Sequence, residues 1–271
     1  MLTFIEPYPA LLLQQKKQRT LIIADLHIGW EVALIEKGAH VPSQMPKLLQ
    51  KLTEIIKQTK PHTLLLLGDI KHTIAKAATE EWRDIPDFFE TLNKKVQNIK
   101  IILGNHDGNL EPLLPETIEV LPATGTSIGN VGFFHGHTWP AFELRKCKTL
   151  VMGHVHPIVM FQDPLGFRIT RQIWVKVECD GTQLEKSLIK HYKIKQTMKH
   201  ATKIFQVIIM PSFNDFLGGQ PINRKGVGKD HKYHAFIGPL LRSKSIKIED
   251  AELYLLDGTF LGTVNQLTNL S

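Results

Sequence analysis

Along the first 160 residues, short aliphatic and β-branched runs alternate with longer segments of helical periodicity. The apolar runs are TLIIAD (20–25), HTLLLLGD (62–69), IKIILGN (99–105), VGFFHG (131–136) and KTLVMGH (148–154). Unbroken apolar stretches of this length suit strands covered on both faces, because a solvated face would impose a polar residue at every second position. Residues 43–59 place Leu48, Leu49, Leu52, Ile55 and Ile56 on one side of a helix. Residues 79–92 predict another, opened by Thr79 and followed by Glu80 and Glu81, whose carboxylates complement the positive end of the helix dipole. Strand, helix, strand, helix, strand predicts an α/β fold with a parallel sheet flanked by helices.

Beyond Val155 the pattern changes. FRITRQIWVKVE (167–178) and TKIFQVIIMP (202–211) read as further strands, and a second sheet packed on the first is the simplest account of them. The stretch KHYKIKQTMKHATK (190–203) between them is basic and poor in turn signals. Residues 211–230, PSFNDFLGGQPINRKGVGKD, are rich in Gly, Pro and Asn and read as a long loop, a kind of segment usually tied to function. With no repeats and no obvious linker, residues 1–271 are expected to form a single domain, with 181–271 completing the second sheet.

Composition adds limits. Hydrophobic residues make up 42% and charged residues 22%, ordinary for a folded domain, and no apolar run approaches the roughly 20 residues of a membrane-spanning helix. The N-terminus lacks the basic start and small-residue cleavage site of a secretory signal, so a cytoplasmic protein with no membrane association is expected. Cys147 and Cys179 are too few for a disulfide framework and lack the spacing of a thiolate zinc site. The net charge of +7 is uneven. Residues 1–180 hold 20 Lys and Arg against 19 Asp and Glu, whereas 181–271 hold 13 against 7. An excess of this kind favours polyanionic partners through counterion release.

The chemistry lies where the apolar runs stop. The first ends in Asp25-x-His27, the second in Gly68-Asp69, the third in Gly104-Asn105-His106-Asp107, the fourth in His135-Gly136-His137 and the fifth in Gly153-His154-x-His156. Asp25 and His27, two residues apart, point the same way if strand geometry continues through them. Taken singly, an Asp at a strand end is a turn residue or cap and a His is an ordinary polar group. Five such segments in succession, at the strand ends where open α/β sheets bind ligands, are a different matter. Three carboxylates, an amide and several imidazoles at one sheet edge would be costly without a cation. Mixed oxygen and nitrogen donors suit manganese, iron or zinc, while calcium prefers oxygen alone.

The ordered set Asp25-x-His27, Gly68-Asp69, Gly104-Asn105-His106-Asp107, His135 and Gly153-His154-x-His156 resembles the calcineurin-like metallophosphoesterase superfamily over residues 20–160. DLHIGWE, GDIKH and PSFNDFLGG further resemble the archaeal SbcD-related and DNA-ligase-associated metallophosphoesterases. The resemblance implies a four-layer α/β/β/α sandwich of two packed mixed sheets flanked by helices. It implies a hydrolase acting on phosphate esters with two divalent cations, manganese foremost. Asp25, His27, Asp69 and His156 would hold one metal, and Asp69 would bridge to a second held by Asn105, His135 and His154. His106 would lie beside the substrate phosphate as general acid, with Asp107 orienting its ring. His72 departs from the superfamily, most of which has a carboxylate there, and His137 stays an alternative to His135.

Trp30 is a candidate stacking surface for a base, or simply a packing residue, and Arg224 and Lys225 are candidate substrate contacts. The basic last third and the SbcD-like resemblance favour a nucleic acid or nucleotide substrate, with DNA-repair proteins as partners. A small-molecule phosphodiesterase or phosphatase is the enzymatic alternative, and a noncatalytic protein-binding module on the same fold is the non-enzymatic one.

Overall fold

A computed structural model describes residues 1–35, 37–39, 41–74, 77–163, 165–195, 205–224 and 237–268. The chain forms two compact units: Met1–Ala123 with Ser212–Leu217, and Thr124–Pro211 with Gly218–Ser271. Each has a sheet and a hydrophobic core of its own.

The first unit holds a six-stranded sheet of β1 (Leu2–Phe4), β2 (Leu11–Gln15), β3 (Gln18–Ile23), β4 (Thr63–Leu67), β5 (Asn98–Ile102) and β6 (Glu119–Leu121), in that spatial order. The first three strands run antiparallel, and β3 through β6 run parallel. The predicted central strands are β3, β4 and β5, and β3 and β4 pair with Thr20 opposite Thr63 and Ile23 opposite Leu66. Both of those strands turn fully buried over their last four residues, which is why their sequences do not alternate. Helix α1 (Val32–Ile35) is a single turn. Helices α2 (Met45–Thr59) and α3 (Thr79–Asn93) are the two the periodicity predicts. Helix α2 buries Leu48, Leu52, Ile55 and Ile56 and stops at Lys60, whose left-handed backbone (φ 45°) ends the helical ladder. Helix α3 buries Ile85, Phe88, Phe89 and Leu92 in the same core.

The second unit is also mixed. Its strands are β7 (Thr126–Ile128), β8 (Val131–Phe134), β9 (Thr149–Met152), β10 (Pro157–Gln162), β11 (Arg168–Cys179), β12 (Phe205–Ile209), β13 (Gln220–Pro221), β14 (Glu252–Leu255) and β15 (Phe260–Thr263). Seven lie in the order β13-β10-β11-β12-β9-β8-β7, while β14 pairs with the long β11 and β15 with β14. The runs at 167–178 and 202–211 are thus β11 and β12, and residues beyond 181 also supply β13, β14 and β15.

One helix of this unit was not legible in the sequence. Residues 181–192 form a helix, α4 (Gly181–Tyr192), opened by Asp180, which accepts the Thr182 and Gln183 amides at 2.8 and 3.1 Å. Only Leu184 and Leu188 among its hydrophobics are fully buried, too narrow a stripe to stand out as periodicity. The stretch read as a loop at 211–230 is irregular over residues 211–219 and 222–224, with the two-residue β13 between them; Ser212–Leu217 belong to the first unit, and residues 225–230 lie outside the described part. A short helix, α5 (Val264–Thr268), follows β15. Among the described residues no helix is long and apolar enough to cross a membrane.

Two outcomes are expected from this packing. Leu52→Ala, at a fully buried position of α2, should lower the unfolding free energy by about 3 kcal/mol in a urea titration, the cost of lost transfer energy plus the cavity left behind. Burial pushes the Cys147 thiol up and the Cys179 thiol to about 12. Iodoacetamide at about pH 8 should therefore leave both unmodified in the folded protein and alkylate both in denaturant, as read by mass spectrometry.

Candidate metal centre

In the first unit the site begins where β3 and β4 end. Past Ile23 and Leu67 the two chains stay paired in an irregular way. Asp25 N donates to Gly68 O at 3.2 Å, His27 N to Asp69 O at 2.8 Å, Ile28 N to Ile70 O at 2.8 Å, and His72 N to Ile28 O at 3.0 Å. Asp25, His27 and Asp69 take left-handed backbone conformations, with φ of 58°, 43° and 51°. Strand geometry therefore does not persist through Asp25-x-His27. What turns both side chains to one place is a pair of bends that L-residues avoid, each costing on the order of 1–3 kcal/mol.

That strain is concentrated. Of the nine non-glycine residues with positive φ among those described, five are Asp25, His27, Asp69, His154 and His156. Of the other four, Lys60 and Lys193 simply end helices.

The bends bring donors together. Atoms of Asp25, His27 and Asp69 lie within 4.8 Å of one another, and so do ring nitrogens of His27, His72 and His106. His27 Nε2 is 3.4 Å from Asp69 Oδ2, and its Nδ1 is 3.4 Å from His72 Nδ1. Asp25 and Asp69 are buried at 0% and 2% exposure. The His72 ring is held neutral, its pKa brought down to about 4 by burial first and then by the neighbouring His27 and His106 rings, against the pull of Glu81 and Asp69. Buried carboxylates beside imidazoles that keep their lone pairs are a donor set that fits a divalent cation.

The third strand's turn closes around Asp69. Its Oδ1 accepts the His106 amide at 2.9 Å. Gly104 has to be glycine, since a Cβ there would stand 2.2 Å from Asp69 Oδ1 and 2.3 Å from Asp69 N. Nδ1 of His106 makes a short contact with the carbonyl oxygen of His72. A carbonyl can only accept, so Nδ1 carries the proton and Nε2 is the nitrogen left for chemistry. Asp107, expected to orient that ring, also holds the backbone around it. Its Oδ1 accepts Ile70 N at 2.8 Å and Lys71 N at 3.4 Å, and its Oδ2 accepts Gly104 N at 2.8 Å. The carboxylate staples the two turns, and the His72 carbonyl is what the ring bonds. Asn105 is half-buried between His106 and Gly104.

Sequence reasoning missed two residues of this unit. Glu81, fully buried at the start of α3, accepts His72 N and Thr73 N through Oε1 at 2.9 and 2.8 Å, and Ala78 N through Oε2 at 2.8 Å, with a further short bond from the Thr73 hydroxyl. Gly29 (φ 89°) makes room for it, because a Cβ there would lie 2.7 Å from Glu81 Cγ. The glutamates after Thr79 were legible as a helix start, but nothing in the pattern showed that one of them clamps the GDIKH turn. Lys71 is the other. It is fully buried, its Nζ lies on the carbonyls of Thr73 and Ile74, and burial lowers its pKa against the pull of Glu81, Asp107 and Asp69.

In the second unit the donors follow β8 and β9. His135 is fully buried and His154 and His156 are half-buried, the last two at φ of 71° and 47°. Gly153 N donates to His135 O at 3.0 Å, tying the two strand ends together. The His135 and His154 rings are 4.9 Å apart, with donor atoms within 4.8 Å. His137 is farther off, its ring 5.2 Å from His135 and 6.1 Å from His154. Arg224 is turned to β10, where its Nη2 donates to Gln162 Oε1 at 3.2 Å. Lys225 lies outside the described residues.

The sequence model described as calcineurin-like phosphoesterase matches residues 18–181, more than half of the chain. This chain belongs to the calcineurin-like phosphoesterase family. It is an enzyme fold of hydrolases acting on phosphate esters, and the family uses divalent metals. Among solved structures, the phosphoesterase is similar to the nuclease MPE of Pseudomonas putida at 20% identity, covering 95% of this chain and 98% of that one with a TM-score of 0.50. It is less similar to the Escherichia coli phosphoesterase Yfce, at 19% identity over 53% of this chain and 73% of that one, TM-score 0.34. At these identities the first likeness shows the fold, and the second overlaps too little to carry an argument. No curated protein matches the chain significantly by sequence.

Gly104→Ala should displace Asp69 and cost the protein bound metal, measured by plasma mass spectrometry after loading with manganese. Gly108→Ala is the control, since its Cβ would meet only the Ile74 carbonyl at 3.3 Å. Equal metal content in the two variants would show that the close approach at Gly104 is not what holds the site together.

Proposed function

We propose that this phosphoesterase is a two-metal phosphodiesterase that acts on nucleic acid, with manganese as the fitting metal. The observation that carries the reading is the clustering of backbone strain on donors: five residues at the ends of three strands accept unfavourable conformations, and all five are Asp or His. Asp25, His27, Asp69, Asn105, His135, His154 and His156 are assigned as ligands, following the order of the family's motif. His135 is preferred to His137 because it is fully buried and nearer His154. The set is mixed oxygen and nitrogen without thiolate, which supports manganese over softer or purely oxygen-seeking ions.

Divalent cations bound there would act as Lewis acids, neutralising phosphoryl oxygens and making a water nucleophilic near neutral pH. The chain's own part is to orient and to move a proton. His106 presents Nε2 while Nδ1–H is held on the His72 carbonyl, so the cationic ring can give its Nε2 proton to the leaving oxygen. Asp107 and Glu81 fix the turns that carry His106 and His72 through bonds to backbone amides. Nucleic acid as substrate is supported by the pI near 9.3, the basic last third of the sequence, the SbcD-related and DNA-ligase-associated resemblance, and the nuclease to which the fold is similar.

Chelation should abolish hydrolysis of a chromogenic phosphodiester, and added manganese should restore it. Asp69→Asn should lower kcat by at least about a hundredfold, more than is usual for a residue that only supports a ligand. Full activity of the stripped protein would end the metal reading. For the substrate, kcat/KM on labelled DNA or RNA should fall steeply with salt while that on the small ester stays level. Two flat salt profiles would favour a small-molecule diester.

A further inference from the structure

Ser212–Leu217 come late in the chain yet belong to the first unit. They are held there tightly. Phe213 is fully buried and its amide donates to Ala24 O at 2.7 Å. Asn214, also fully buried, donates from Nδ2 to Leu26 O at 3.0 Å and accepts the Phe216 amide on Oδ1 at 3.0 Å. Lys51 Nζ binds both Phe213 O and Asp215 Oδ1 at 2.8 Å. Phe213 explains the docking as core formation, but Phe216 does not. These bonds fix Phe216 in place, and its ring remains 48% exposed.

The ring has company of a particular kind. It lies nearly parallel to Trp30, with centroids 6.0 Å apart and an interplanar angle of 14°. Trp30 is three residues past His27 and donates its amide to the His27 carbonyl at 3.2 Å, so the backbone that carries the stacked pair's Trp30 is bonded to a proposed ligand residue. Lys47, exposed on the first turn of α2, holds Nζ 4.9 Å from the Phe216 centroid. Lys51 spends its charge on Asp215, whereas Lys47 has no carboxylate partner among the described residues. A secured, half-open aromatic ring, backed by a second ring and topped by an uncommitted cation, matches how single strands are held: a base on the ring and a phosphate on the lysine.

We propose that Trp30, Phe216 and Lys47 form a platform for an unpaired nucleobase next to the hydrolytic residues. The inference rests on the nucleic-acid phosphodiesterase reading and narrows it to single-stranded or frayed polynucleotide. The base stacks on the open part of Phe216, and the flexible Lys47 chain moves from the ring to the neighbouring phosphate. Because every base has a π face, the platform selects for the presence of a base and not for its identity.

Binding is measured by fluorescence anisotropy in chelator, where nothing is cleaved, using a labelled thymidine strand of about 12 nucleotides, within the site sizes known for such grooves, and an abasic strand of equal length. The parent should bind the thymidine strand about tenfold more tightly than the abasic one, as expected for loss of base stacking. Phe216→Leu keeps apolar bulk but removes the ring and should bring the thymidine strand to the abasic level, while Phe216→Tyr should retain the parent's affinity. Lys47→Gln should weaken both strands and reduce the salt slope by about one unit. Equal binding of the two strands by the parent overturns the platform without recourse to any variant, as does parent-like affinity in Phe216→Leu. Turnover of a chromogenic diester with manganese is scored separately. A parent that discriminates the strands but hydrolyses nothing keeps the platform and loses the hydrolase reading, and a parent that hydrolyses without discriminating does the reverse.

Discussion

Asp69 is the constraint on which the first unit's chemistry turns. Its side chain is almost completely buried, Oδ1 receives the His106 amide, Oδ2 lies 3.4 Å from His27 Nε2, and its backbone carbonyl receives His27 N. One residue thereby connects the turns after β3, β4 and β5. A buried carboxylate needs compensation, and the donors gathered around Asp69 are of a kind that a divalent cation would fit. The absence of a side chain at Gly104 follows from the same demand, because the backbone of the third turn has to come close enough to Asp69 for the His106 amide to reach it.

Around that carboxylate the structure is organised to hold loops, not to fill volume. Glu81 and Asp107 are buried acids whose described bonds go mainly to backbone amides of the GDIKH and GNHD turns. Hydrogen bonds to a charged acceptor are stronger than neutral ones, which suits them to keeping irregular backbone in place. The left-handed bends at Asp25, His27 and Asp69 are affordable because neighbouring strands and these two clamps over-determine the backbone there. Preorganisation of this kind is what a hydrolase of phosphate esters requires, since positioning and charge stabilisation do most of the chemical work.

The late segment Ser212–Leu217 shows the same economy in another form. Phe213 and Asn214 are consumed in docking, and the chain then leaves Phe216 half-exposed against Trp30. A segment far along the sequence thus contributes to the surface next to the earliest ligand motif, which ties the PSFNDF motif to the DLHIGW motif in space.

The sequence by itself determined the strands β3, β4, β5, β8, β9, β11 and β12 and the helices α2 and α3, because apolar strand runs and amphipathic helices write themselves as local hydrophobic patterns, and it pointed to the family through the order of its Asp, Asn and His motifs. It also singled out Asp25, His27 and Asp69, and His135 and His154, whose donor atoms the structure gathers into groups that could hold a metal, since Asp and His at the end of an apolar run need no knowledge of distant contacts. Helix α4 and the edge strands escaped it, for short or half-exposed elements leave a weak periodic trace. Only the tertiary structure decided that Asp25 and His27 converge through left-handed bends instead of strand alternation, that Asp107 binds amides, and that Glu81 closes the GDIKH turn. Each of those depends on a strained φ or on a partner outside the local periodic pattern, eight or nine residues away for Glu81 and 37 for Asp107 with Ile70, and neither is encoded in the spacing of residue types along the chain.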